Sequence, residues 1–267
     1  MTEFDPELSA RMKMPTELLN RASEFHLAIH VGASELHAAL FDFHASQCLW
    51  SVYSEIPAGF SPYKFIYQRN WIEGVFRKCT ITFDSDNYAL IPQSLFDPSV
   101  CSDYLEMQHG IATLSAGSIE LPEAEAVICF EWPEWYADVM RIIPNARVIP
   151  QAVLLVRLST SFAQSGEAGF VVAVSSGQAT IAGYKKKSLA VLVTQEARTT
   201  EDILYHLSNA ALRLQMDPEN SCVHLLEAQS NSEHASLLRR YVKEVVNLSA
   251  PAGIQAPAIT QLHFLCA

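Results

Sequence analysis

Two stretches of this chain read alike. Residues 25–56 run FHLAIHVGASELHAALFDFHASQCLWSVYSEI, and residues 169–196 run GFVVAVSSGQATIAGYKKKSLAVLVTQE. Each reads as an apolar strand, a tight turn of small residues, a second strand, a polar turn and a third strand, followed by a capped amphipathic helix. In the first stretch Leu27, Ile29 and Val31 alternate with Ala28 and His30, the period of a pleated strand. A repeat of this kind implies two related domains facing each other, a layout that usually holds a phosphate ligand in the cleft. The two tight turns lack the acidic and glycine residues that such a ligand requires.

A chain of 267 residues has room for one large domain or two ordinary ones. With 49% apolar and 18% charged residues it can bury a sizeable core. Its net charge of −11 argues against a nucleic-acid surface or an anionic membrane, since both are bound through clustered cations. Cys48, Cys79, Cys101, Cys129, Cys222 and Cys266 are scattered, without a C-x-x-C pair. Several sit in apolar runs, where a thiol acts as a small hydrophobe, and this reads as a cytoplasmic protein with reduced thiols. The start, MTEFDPELSARMKMP, has no apolar signal segment, and no apolar run reaches the roughly 18 residues of a membrane span. Membrane insertion is not expected.

Between the repeats, Ser61-Pro62 reads as an N-cap with proline at the first helical position, and Phe65, Ile72, Val75 and Phe76 share a helical face. Residues 79–83 and 88–91 look like a hairpin around Asp84-Ser85-Asp86-Asn87. Asp97-Pro98 opens a short helix ending near His109-Gly110. Residues 111–121 and 126–130 are strand-like, and helices are expected at 132–143 and 151–162. The small, polar segment 159–169 is the expected domain boundary. The organisation is then an N-terminal extension over 1–24, able to dock through Leu18 and Leu19, a first domain over 25–160 and a second over 161–267. In the second domain Thr199 caps a helix with Asp202 as its partner. Strands follow at 222–226 and 245–248, a helix at 232–242, and an edge strand at 259–265.

Three antiparallel strands, a helix, a strand, a helix and a strand, given twice, resemble the actin-like ATPase fold. That superfamily includes actin, sugar kinases, chaperones and parts of bacterial secretion and pilus machines. The fold class this implies is α/β: duplicated ribonuclease-H-like domains, each a mixed five-stranded sheet with helices. The stretches YALIPQSLFD and TTEDILYHLSNAALRLQMDPENSCVHLLE, with the helix around 132–143, are similar to an uncharacterised bacterial family of unknown function assigned that fold. Active members need an aspartate in the first strand of each half and glycines beside it. On that resemblance, His30 stands where the first aspartate belongs and Gly32 survives, in Ile29-His30-Val31-Gly32-Ala33-Ser34. Ala173 stands where the second belongs, and Ser175 replaces a glycine, in Val172-Ala173-Val174-Ser175-Ser176-Gly177. Where the adenosine-binding glycine pair belongs, the chain reads Glu227-Ala228-Gln229-Ser230. Loss of ATPase activity follows from the resemblance, with no catalytic residue, cofactor or metal expected.

Other patterns carry weaker chemistry. His26, His30, His37 and His44 crowd the first triplet, and His26 and His30 share a strand face; without acidic or cysteine ligands at useful spacing, hydrogen-bonded histidines are the ordinary reading. Asp84-x-Asp86 lacks the glycine and glutamate of a calcium loop, and Ser61-x-x-Lys64 lacks the companion motifs of a β-lactamase. Lys185-Lys186-Lys187 reads as a solvated hairpin tip. The strands lack the clustered carboxylates of a two-metal nuclease.

Two functional readings remain. One is a non-catalytic scaffold that binds a partner protein or itself, with Trp132, Trp135 and Tyr136 as the aromatic anchor and at least one ring exposed or set in an interface between chains. The other keeps the cleft for a phosphate-bearing ligand held by the degenerate turns, through His30, Gly32, Ser34, Ser175, Ser176, Gly177 and Lys185.

Overall fold

The computed structural model describes residues 13–42, 47–57, 61–110, 112–165, 168–175, 177–227 and 232–248. The expected strand at 259–265, residues 1–12, Ser176, and Ala228 to Ser230 lie outside the described residues.

The two triplets fold as equivalent units. Strands β1 (Phe25–Val31), β2 (Glu35–Asp42) and β3 (Gln47–Glu55) have 7, 8 and 9 residues. Strands β9 (Gly169–Ser175), β10 (Gln178–Lys185) and β11 (Ser188–Glu196) have the same 7, 8 and 9. Each middle strand carries a register shift at the same point of its length, between Leu40 and Phe41 in β2 and between Gly183 and Tyr184 in β10. A bulge adds twist at a fixed place, so its repetition marks the two hairpins as copies of one design.

Each triplet leads a mixed five-stranded sheet. Alongside β4 (Lys78–Phe83) and β8 (Ala146–Pro150) the first has the order β3-β2-β1-β4-β8. Alongside β12 (Cys222–Glu227) and β13 (Glu244–Asn247) the second has the order β11-β10-β9-β12-β13. In both, the first strand pairs antiparallel with the second and parallel with the fourth. This is the expected duplicated α/β architecture.

The first half carries an added layer. Strands β5 (Tyr88–Pro92), β6 (Ala116–Leu121) and β7 (Ala126–Glu131) form a separate antiparallel sheet in the order β5-β7-β6. The hairpin expected around Asp84 to Asn87 is therefore absent: β4 stays in the main sheet and β5 leaves it to pair with β7. Strand β6 begins at Ala116 rather than near 111. Strand β8, not foreseen in the sequence, completes the first sheet.

Short helices α1 (Thr16–Leu19) and α2 (Pro62–Tyr67) flank the first triplet, and Leu18 and Leu19 pack on the core as expected. The apolar face proposed for residues 65–76 is not one helix. Helix α2 stops at Tyr67, a 3₁₀ turn covers Asn70–Glu73, and Val75 is exposed. Ser61 occupies the N-cap of α2 without a side-chain hydrogen bond. Helix α3 (Cys101–His109) ends on Gly110, whose φ of 72° supplies the left-handed cap. Helix α4 (Tyr136–Ile142) starts four residues later than expected, because Trp132-Pro133-Glu134-Trp135 turns out of β7 before it.

Helix α5 (Gln151–Gln164) fills the space between the sheets, so residues 159–164 of the expected boundary segment are helical. Ala152, Val153, Leu154, Leu155, Val156, Leu158 and Ala163 are all buried, which is the signature of a helix covered on nearly every side. One apolar core runs through it, from Leu27, Ile81 and Ile149 of the first sheet to Val171, Ala182 and Tyr184 of the second. Helix α6 (Thr200–Arg213) carries the expected reciprocal cap between Thr199 and Asp202, and α7 (Ser232–Leu238) precedes β13.

Candidate functional site

Register assigns the equivalent positions. His26 pairs with Phe41 beyond the β2 bulge, and Gly169 with Tyr184 beyond the β10 bulge. Their parallel partners begin the next strands, Lys78 and Cys222. His26 thus matches Gly169. Counting forward, His30 matches Ala173, Gly32 matches Ser175, and Ser34 matches Gly177. An independent bond agrees: Ile56 N–H donates to the Ser34 carbonyl at 2.8 Å, and Ala197 N–H to the Gly177 carbonyl at 2.8 Å.

These positions lie at the carboxyl ends of parallel strands, where open α/β sheets place their ligands. A cleft of about 730 Å³ opens there between the halves, walled by Asp86, Asn87, Glu131, Thr194, Gln195 and Arg198. A second cavity of about 320 Å³ shares Asp86 and Gln178 with it and reaches Gly32 and Trp135. At the floor the two halves touch. Ser175 Oγ, from β9, lies 2.9 Å from Glu35 Oε1 and 2.8 Å from Asp84 Oδ2. Behind them His30 Nε2 is 3.3 Å from Asp84 Oδ1, and His37 Nε2 is 3.6 Å from Glu35 Oε1. His30 Nδ1 meets the Thr82 hydroxyl at 3.0 Å, and the Tyr53 ring lies 4.7 Å from that of His37.

The electrostatics follow from burial. Burial pushes the His37 imidazole below its ordinary value against the opposing pull of Glu35. Burial alone would raise the Glu35 carboxyl, but the His37 imidazole and the Ser175 hydroxyl outweigh it and hold it lower. Serine, histidine and aspartate are all present, yet in the wrong order for nucleophilic catalysis. The serine hydroxyl meets carboxylates, not the imidazole that would take its proton, and Ser175 is buried away from any substrate. Among the described residues no group of three or more His, Cys, Asp or Glu side chains is placed to hold a metal ion.

The other expected residues scatter. Ser34 and Gly177 are exposed at the turn tips, and Gly177 has the positive φ of 76° that its tight turn needs. Lys185 points away from the cleft and donates to the Leu214 and Gln215 carbonyls at the end of α6. His26 meets Thr80 at 3.0 Å on a separate part of β1. Trp132 and Tyr136 stack 4.0 Å apart, and Trp135 meets Phe83 edge-on at 6.0 Å. All three rings are partly buried against the core. Glu35 was not singled out in the sequence, and His37 and Asp84 were weighed only as parts of a histidine cluster and a calcium-like turn; the one signal joining the three was their place beside strand ends.

Residues 17–245 match the family described as protein of unknown function (DUF3822). The chain belongs to the DUF3822 family. None of the curated proteins matches it. A Bacteroides thetaiotaomicron protein with an actin-like ATPase fold and unknown function is similar to this DUF3822 chain at 16% identity and a TM-score of 0.78. That similarity covers 93% of this chain and 98% of the other. The cytoplasmic domain of EpsL, an inner-membrane component of the type II secretion system of Vibrio cholerae, is similar at 10% identity and TM-score 0.53, covering 91% and 96%. The PilM–PilN type IV pilus biogenesis complex supplies a third likeness at 15% identity and TM-score 0.50, covering 83% and 88%. At these identities the likeness shows the fold: this DUF3822 chain has the actin-like ATPase fold. Among the described residues no helix is long and apolar enough to cross a membrane.

Proposed function

We propose that this chain is a non-catalytic scaffold with an actin-like fold, acting in the cytoplasm by binding a partner protein or a second copy. The observation that carries the reading is the contact of Ser175 with Glu35 and Asp84. Side chains occupy the meeting point of the two turns, where the fold would otherwise present backbone N–H groups to phosphates. His30 and Ala173 leave no carboxylate in the first strand of either half for magnesium. The neighbouring PilM–PilN structure is a complex, which supports a binding role for such a frame. The inserted layer bears Leu95, Met107 and Leu114 as exposed large apolar side chains, and these are the surface we would test first for a partner. The free thiols of Cys48, Cys79, Cys101, Cys129 and Cys222 suit a reducing compartment.

The roughly 730 Å³ cleft favours a second reading, a small ligand held between the halves. Its walls suit a phosphate poorly. Asp86, Glu131 and Glu196 outnumber Arg198, which already pairs with Glu196. Asn87 and Thr113 both donate to the Glu131 carboxylate. A phosphate-release assay with ATP and magnesium tests the main reading. We expect a rate equal to the protein-free blank; turnover that disappears on Ser175→Ala or His30→Ala would contradict it.

A further inference from the structure

We propose that the pocket beside Trp135 binds a cationic organic group, a guanidinium by preference, carried by an arginine side chain of a partner protein or by a small molecule. The cavity, of about 320 Å³, opens where the turn after β1, the turn after β4 and residues 132–135 after β7 come together. Small-ligand pockets run from about 300 to about 1,000 Å³, so this one has room for a guest the size of one side chain.

Its walls are of two kinds. Val31, Pro62, Phe83, Pro133 and Trp135 supply apolar and aromatic surface. The Trp135 indole stands edge-on to Phe83, with ring centroids 6.0 Å apart and planes at 89°, and Phe83 meets Phe130 at 6.0 Å. Phe83 and Phe130 are buried, so the indole is braced by the core. Asp84 and Asp86 supply the charge, and among the described residues that line the pocket none is lysine or arginine. Asp84 is anchored from behind, with Oδ2 2.8 Å from Ser175 Oγ and Oδ1 3.3 Å from His30 Nε2. Asp86 is exposed in the turn between β4 and β5, where it can meet a guest from the solvent side.

An aromatic wall beside carboxylates selects a cation. The ring attracts positive charge, and a half-enclosed site screens the carboxylates less than bulk water does. An anion is served badly, because nearby backbone donors are already used: Gly32 N–H goes to the Glu35 carbonyl at 2.8 Å and Asp84 N–H to the Val31 carbonyl at 3.2 Å. A guanidinium suits the walls better than an ammonium, since its plane stacks on an indole while its N–H groups fork toward a carboxylate. Gln178, from β10 of the second half, adds an amide oxygen that can accept another of those N–H groups.

Titration of the full chain with acetyl-arginine amide, followed on the Trp135 indole N–H resonance, tests the site. The neutral isostere acetyl-citrulline amide is the control. We expect a shift that saturates with a Kd of about 1–10 mM for the arginine probe and no saturable shift for citrulline. Asp86→Asn should weaken arginine binding by about fivefold. Trp135→Leu, read on backbone amides, should weaken it by about tenfold. A response linear to about 50 mM, or one that citrulline reproduces, overturns the proposal. So does arginine binding that Asp86→Asn leaves unchanged, a readout that remains if Trp135→Leu does not fold. The peptide Ala-Ala-Arg-Ala-Ala separates the two sources: tighter binding than the amide points to a partner protein, and equal binding to a small cation. Phosphate release tests the scaffold reading and this titration tests the pocket, so the two can fail separately.

Discussion

Replacing Leu155 by alanine is expected to destabilise both halves at once, by about 2–5 kcal/mol. Leu155 is fully buried at the middle of α5, between the two sheets. The cavity left there can collapse only by moving a helix held on both sides, which puts the cost toward the upper part of that range. A domain of this kind has about 5–15 kcal/mol of stability to lose. Because the apolar core passes from the first sheet through α5 into the second, the halves should unfold in one transition. Amide exchange on β1 and β9 checks this: protection should fall by a similar factor on both strands. A loss confined to one strand would mean that the halves are held together less tightly than the shared core implies.

Acidification should also weaken the chain strongly, through His26. Its imidazole is buried on β1 beside Thr80, and burial, with a smaller effect from Lys78, lowers its pKa from 6.5 to about 4. The native state thus keeps His26 neutral where the unfolded chain would protonate it. The contribution is fully present above the unfolded value of 6.5 and is lost as pH falls toward about 4. The difference corresponds to about 3 kcal/mol. His37, lowered for the same reason, acts in the same direction. Denaturation midpoints between about pH 7 and about pH 4 should fall steeply for the wild-type chain and less for His26→Phe. Equal slopes would show that His26 titrates normally in the folded state.

The duplication was legible in the sequence because alternation and turn chemistry are local. Leu27, Ile29 and Val31 mark a strand with no knowledge of its partner, and Thr199 with Asp202 marks a helix start within four residues. Pairing is not local. Asp84 to Asn87 has the composition of a hairpin turn, yet Tyr88 pairs with Phe130 and β4 keeps its place beside β1. Strand β8 was missed because its five residues, Ala146–Pro150, lie between the stop signal at Pro144 and the start of α5, and Pro150 itself ends the strand. The aromatic trio read as one helix face because spacing alone cannot show that Trp132 and Trp135 precede the helix. The contact of Ser175 with Glu35 and Asp84 was least legible of all. Ser175 is 140 residues from Glu35 and 91 from Asp84, and only the folding of one half against the other brings them together. The family resemblance pointed to the His30 and Ala173 positions, and the strand register makes the two positions equivalent.

The central claim is that side chains have taken the place of phosphate in the cleft. Calorimetric titration of the chain with ATP and magnesium, paired with a thermal-shift series, tests it most directly. With no first-strand carboxylate in either half and Ser175 bound to Glu35 and Asp84, we predict no binding heat and no change in midpoint. A ligand at a hundredfold excess over its Kd would add about 2.7 kcal/mol to the native state. A magnesium-dependent stabilisation of that size, abolished by substitution at His30 or Ser175, would contradict the account.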